Sequence, residues 1–257
     1  MNDSSENFKA FLDEKTRLFN RPEFIVTDPI QVPAQFTTKE NIEISGFLAA
    51  TLAWGQRPMI IRNAMRLIAC MNNNPYDFIV NTPEDEWEIV LNFKHRTFNG
   101  TDCIFFLKAL KNVYINHGGL EQVFTEGYKT DNSIFNALVH FRKVFLEPEH
   151  EPRSEKHISD VAAGSAAKRL NMFLRWMVRY DSNGVDFGLW KQIPASALLL
   201  PLDVHTGNVA RKLGILTRKQ NDWRAVEEVT AKLLEFDPID PIKYDFALFG
   251  LGVFEKF

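Results

Sequence analysis

The chain has 257 residues, with 30 Lys and Arg against 33 Asp and Glu, 45% apolar and 12% aromatic residues, a composition that excludes disordered, collagen-like and coiled-coil chains. A chain of this length buries enough apolar surface to fold without staples, and Cys70 and Cys103 are too few for a four-cysteine zinc site or an iron–sulfur cluster. Both thiols are expected to be buried and reduced. Met1 to Lys9 is polar and acidic, without the apolar stretch of a secretory signal, and no apolar run reaches the ~20 residues of a membrane span. A cytoplasmic protein without membrane contact is expected.

Apolar residues recur at helical spacing almost throughout, and alternating Val/Ile/Thr runs are nearly absent, so the fold class is all-α. The first helix is expected over Phe8 to Phe19. Thr37-Thr38-Lys39-Glu40 has capping-box spacing before the Ile42 to Trp54 run, and Pro58 suits the first turn of a helix through Met71. Further helices are expected at Pro83 to Leu91, Thr101 to Asn116, Leu120 to Gly127, Ser133 to Leu146, Ala166 to Tyr180, Val204 to Leu213, Asp222 to Phe236 and Pro241 to Leu251. That makes about ten helices. Asp240 is expected to cap the last of them. The polar, proline-containing stretch from Glu147 to Lys156 marks a connection. The expected organisation is one unit over 1–257 with lobes at 38–146 and 157–220, on which 1–37 and 221–257 pack.

Charge is uneven along the chain. Residues 160–220 hold nine Lys and Arg against four Asp and Glu, whereas residues 221–257 hold four against eight, so the first segment is the place for an anionic partner. Within it, Gly164, Ser165 and Ala166 lack bulk just before a helix, where backbone N–H groups and the positive helix end suit a phosphate. On that helix Leu170, Phe173, Leu174 and Met177 share one face, while Lys168, Met172, Arg175 and Arg179 form an opposed basic stripe. Taken alone, such a stripe reads as a solvated face. Downstream, an apolar extended stretch stiffened by Pro201 delivers Asp203 to the next helix start, where by itself it is an ordinary N-cap.

Together the two stretches resemble the helix-hairpin-helix DNA glycosylase superfamily, in which a Gly-x-Gly-x-Lys turn precedes an Asp-x-His segment. Gly164-Ser-Ala-Ala-Lys168 looks like that turn with Ala166 in place of the second glycine, and Asp203-Val-His205 looks like the second motif. The spacing between them is more like that of the archaeal 8-oxoguanine glycosylases than that of the endonuclease III branch, whose cluster cysteines are missing. A closer resemblance, over nearly the whole chain, is to a mainly bacterial family without assigned activity that shares AxLAWGQR (Ala50 to Arg57) and SAAKRLNMFLRWMVR (Ser165 to Arg179).

The superfamily resemblance implies two helical lobes with a cleft and removal of a damaged base, an oxidised purine, from double-stranded DNA, with or without strand cleavage. It implies Lys168 as an amine nucleophile at C1′ and Asp203 as its carboxylate partner. Arg169, Arg175, His205 and Arg211 are then phosphate-side contacts together with Gly164, Ser165 and Ala166. Gln56 becomes the plug that fills the vacated stack, Arg57 a phosphate contact and Trp54 a wall of the base pocket; a core aromatic is the plain alternative for Trp54. No cofactor is implied beyond room for a monovalent cation at the hairpin, and the histidines lack metal-ligand spacing. The competing readings are a non-catalytic nucleic-acid binding module of the same fold and, third, a helical adaptor that binds a protein through its first half.

Overall fold

The computed structural model describes residues 3–180 and 182–257. Helices dominate it: α1 Asp3–Phe19, α2 Lys39–Leu52, α3 Arg57–Cys70, α4 Pro75–Asn81, α5 Gly100–Asn116, α6 Leu120–Tyr128, α7 Ile134–Phe145, α8 Lys168–Val178, α9 Val204–Lys212, α10 Trp223–Phe236 and α11 Tyr244–Val253. The all-α expectation holds, with one addition: β1 Lys94–His95 pairs antiparallel with β2 Phe98–Asn99 in a two-stranded hairpin. Among the described residues no helix is long and apolar enough to cross a membrane. The chain divides into two compact units, residues 26–160 and residues 1–25 with 161–257.

In the unit 26–160, α2 is buried from Ile42 through Leu52 and forms its axis. Phe47 on α2 stacks on Phe106 of α5 at 5.9 Å and meets Phe141 and Phe145 of α7 edge-on or tilted. Such aromatic clusters supply large apolar burial with oriented ring contacts. The helical hairpin α6–α7 closes because Gly127 has no side chain: a Cβ there would lie 2.6 Å from His140 Cβ, 2.7 Å from the Asn136 carbonyl oxygen and 2.8 Å from Ala137 Cα. Two of those three atoms are backbone and cannot swing aside. Gly127→Val is therefore expected to destabilise the protein by at least ~1–3 kcal/mol through overpacking, read as a lowered urea midpoint; an unchanged midpoint would contradict this packing.

In the other unit, α1 and α9 pack on α11. Gly250 lets α11 approach Phe19, whose ring carbons lie 2.0–2.4 Å from where a Cβ would stand. Phe173 and Trp190 meet edge-on at 5.4 Å in the core beside α8.

Several local expectations are corrected. Pro83 to Leu91 is not an α-helix: Glu84–Val90 is a 3-10 helix, and the preceding α4, opened by Pro75, was not anticipated. Thr38 sits at the start of α2 but makes no side-chain cap hydrogen bond. Helix α8 begins at Lys168 rather than Ala166, because Ala167 adopts left-handed angles, φ 46° and ψ 37°. Asp240 does not bond the last helix start; Pro241–Lys243 is a separate 3-10 turn, and the Asp240 carboxylate accepts from Arg179 Nε at 3.0 Å instead. Cys103 is buried as expected but Cys70 only half-buried, and both are free. Burial pushes the Cys103 thiol well up, away from thiolate chemistry.

Candidate functional site

The turn before α8 is shaped by two left-handed residues. Gly164, at φ +89° with open space where a Cβ would stand, reverses the chain, and Ala167 turns it into the helix. Ala166 is not among the positive-φ residues, so alanine there carries no left-handed strain. Both flanks are held. Trp223 N donates to the Gly164 carbonyl at 3.0 Å, Ser165 bridges Asp222, and Ser165 Oγ accepts from Ala167 N at 3.2 Å. Asp222 is itself gripped by Arg218, which holds its carboxyl at about 2. The N-cap residue Ala167 makes no side-chain cap hydrogen bond, and the positive end of α8 faces the turn.

Asp203 is the N-cap of α9. Its Oδ1 accepts from His205 N at 2.8 Å and Thr206 N at 3.0 Å, and Thr206 Oγ1 accepts from Asp203 N at 2.9 Å, completing a capping box. That geometry satisfies one carboxylate oxygen and turns the other outward. Asp203 Oδ2 lies 3.9 Å from Lys168 Nζ, with the side chains 25% and 27% exposed. The first residue of α8 and the cap residue of α9, distant in the chain, thus meet at two helix N-termini. The Asp203 carboxylate already occupies the positive end of α9, so the positive groups left beside the pair are the Lys168 ammonium and the start of α8.

The remaining residues of the expected site divide. Arg175 does not belong to a phosphate-facing stripe: it is 4% exposed, with Nε 3.3 Å from Asp186 Oδ1 and Nη1 hydrogen-bonded to Asp245 Oδ2. Arg179 is buried as well, 2.9 Å from Asp186 and 3.0 Å from Asp240. The supposed basic stripe of α8 is an internal ion cluster, because α11 and the segment bearing Asp186 cover it. Arg169 is half-buried, and the loss of solvent lowers its pKa; a guanidinium stays charged even so. Arg211 donates to the Arg218 carbonyl at 2.8 Å and to Asn221 Oδ1 at 2.6 Å, bracing the loop after α9. His205 is exposed beside Asp203.

Trp54, Gln56 and Arg57 lie in the unit 26–160. Gln56 is exposed at the start of α3, Arg57 is half-buried as its first residue, and Gly55 between the helices has φ +112°. Trp54 is half-buried rather than core: the Arg96 guanidinium lies 4.7 Å from its ring centroid and the His95 ring 5.8 Å away, edge-on. Its carbonyl is 3.2 Å from His95 Nε2, and Asn63 lies 2.9 Å from Nδ1. Burial lowers the His95 pKa, favouring the neutral ring.

Asp245 was missed. It stands in the otherwise apolar helix Tyr-Asp-Phe-Ala-Leu-Phe-Gly-Leu-Gly-Val, and a lone acid in such a run is the signal that marks a buried charge with a dedicated partner. Burial raises its carboxyl to about 6, with Arg175 and Lys168 opposing and Asp203 reinforcing the rise. Among the described residues no group of three or more His, Cys, Asp and Glu is arranged to hold a metal ion.

An all-helical protein with a lysine and an aspartate paired at two helix starts is the class these features define. Residues 28–254 match the family described as "Protein of unknown function (DUF2400)", and the chain belongs to that family. No curated protein and no solved structure matches it.

Proposed function

We propose that the protein is a cytoplasmic DNA repair glycosylase of the helix-hairpin-helix type that excises an oxidised purine from double-stranded DNA. The observation that carries this reading is the 3.9 Å approach of Lys168 Nζ to Asp203 Oδ2 at the start of α8. Free Lys168 amine attacks C1′ of the flipped nucleotide, the glycosidic bond breaks, and the base leaves with the bonding electrons and takes up a proton. Sugar-ring opening then gives a protein–DNA imine. Asp203, held by its capping bonds, faces the positive charge that develops on the sugar. Phosphate contacts come from the 164–166 turn, Arg169 and His205. Within the unit 26–160, exposed Gln56 and half-buried Trp54 and Arg57 form a separate set of groups suited to nucleic acid.

The test is borohydride trapping with duplexes that carry an oxidised purine or an abasic site. A covalent adduct is expected, and binding should weaken by ~0.9 log unit per log unit of salt for each phosphate neutralised. Specific duplex binding without adduct or base release would leave a binding module of the same fold, and no binding at low salt would remove both.

A further inference from the structure

The hairpin Lys94–Asn99 turns over two residues, Arg96 and Thr97, because Lys94 pairs with Asn99 and His95 with Phe98. Arg96, the first of the two, has φ 56°, a conformation that turns of this size normally give to glycine or asparagine. An arginine there is backbone strain, which persists where the surroundings impose it and is concentrated where function uses it. Here the surroundings do impose it. His95 points inward between Asn63 of α3 and the Trp54 carbonyl, and Arg153 donates to the Thr97 carbonyl at 3.1 Å. The Arg96 side chain runs past Gly55, its Nη1 3.0 Å from where a Cβ would stand, onto the Trp54 ring.

The guanidinium so placed is exposed, as are Lys94 on the same hairpin and Arg62 and Arg66, one turn apart on α3. Among the described residues none of these four cations forms an ion pair. Arg66 Nη2 instead donates to the Lys94 carbonyl at 3.3 Å, joining helix to hairpin. Helix α3 holds no acid of its own, and of the acids in the Glu84–Val90 helix, which packs on α3, Glu84 pairs with Lys111. Like charges gathered without counter-charge repel one another and draw an anion to the surface. Four of them, spread over a helix face and a hairpin, fit a polymer of phosphates better than a single phosphate. The fork of Arg96, steadied on an indole, suits the phosphate group itself. We propose that α3 and the hairpin Lys94–Asn99 form a DNA backbone-binding surface of the unit 26–160, anchored by Arg96, with Arg62, Arg66 and Lys94 as further phosphate contacts. DNA as the partner rests on the glycosylase reading; the surface itself is read by binding, without lesion or adduct.

The full chain is titrated into a short, undamaged, fluorescein-labelled duplex, and anisotropy is followed between about 50 and 200 mM salt. R96Q should weaken binding about fivefold or more and lower the slope of log affinity against log salt by about 0.9, the share of one phosphate contact. R62Q/R66Q should lower the slope by about twice that. K143Q, which removes an exposed charge beside Glu147, should leave the slope unchanged. In the wild type, saturating duplex should suppress acetylation of Lys94 relative to Lys143, read by peptide mass spectrometry. Wild-type slopes in R96Q and R62Q/R66Q, an equal loss in K143Q, Lys94 acetylated as fast with duplex as without, or tighter binding to phosphatidylserine vesicles than to the duplex would overturn the assignment. If R96Q does not fold by circular dichroism, the double variant and the acetylation decide. Duplex binding that needs Arg96 without any borohydride adduct on damaged DNA would sink the glycosylase reading only, and an adduct with these slopes unchanged this inference only.

Discussion

Lys168→Ala is expected to abolish the borohydride adduct while leaving the protein as stable as before. The amine is the atom that bonds the sugar in the proposed chemistry, so its removal leaves nothing to trap. Its structural contribution is small: the ion pair with Asp203 is long, at 3.9 Å, and both partners are about a quarter exposed, conditions under which such pairs contribute ~0–1 kcal/mol. Asp203 needs a finer dissection because it does two things. Its Oδ1 caps α9, and its Oδ2 faces the ammonium. Asn caps as well as Asp, so Asp203→Asn should hold stability nearly constant and slow adduct formation by on the order of 10²–10³-fold through loss of the charge. Asp203→Ala should lose both, with an added ~1 kcal/mol destabilisation. Equal urea midpoints for D203N and wild type with equal trapping rates would show that the residue is only a cap.

Arg175→Met carries the largest stability effect. The guanidinium joins Asp186 and Asp245, both buried, and also lies 4.4 Å from the Phe246 ring centroid. Removing one partner of a buried cluster leaves uncompensated charge and costs ~3–5 kcal/mol. The cost should depend on pH, and its sign follows from Asp245. Its folded carboxyl sits at about 6, above its ordinary 3.8, so the folded state binds the proton more tightly than the unfolded chain. Stability from this group is therefore present at acid pH and lost as pH rises between about 4 and 6, by ~3 kcal/mol. Without Arg175 the carboxyl rises further and the loss extends to higher pH. Urea unfolding should thus show R175M closest to wild type near pH 5 and furthest from it near pH 8. A constant difference across that range would contradict Asp245 as the group left exposed to the low-dielectric interior.

Much of the fold was legible because helix signals are local. The periodic runs of α2, α3, α5, α6, α7 and α10 appear within a few residues of their expected places, and Asp203 caps α9 as its sequence context indicated. The short elements were not legible: α4 and the Glu84–Val90 3-10 helix hold too few residues to establish a period. The start of α8 was misplaced because a left-handed alanine at 167 is disfavoured by local propensity and persists through the bonds that hold the turn.

The amino-acid order alone determined that the chain is helical, that small residues precede Lys168 and that Asp203 opens a helix, since each follows from interactions within a few residues. Only tertiary packing decided that these two side chains meet, that Arg175 and Arg179 are enclosed, and that Asp245 joins them. A helical wheel tells which residues share a face and not whether another element covers that face; here α11 and the Asp186 segment cover it, turning a stripe that reads as solvated into a buried ion cluster.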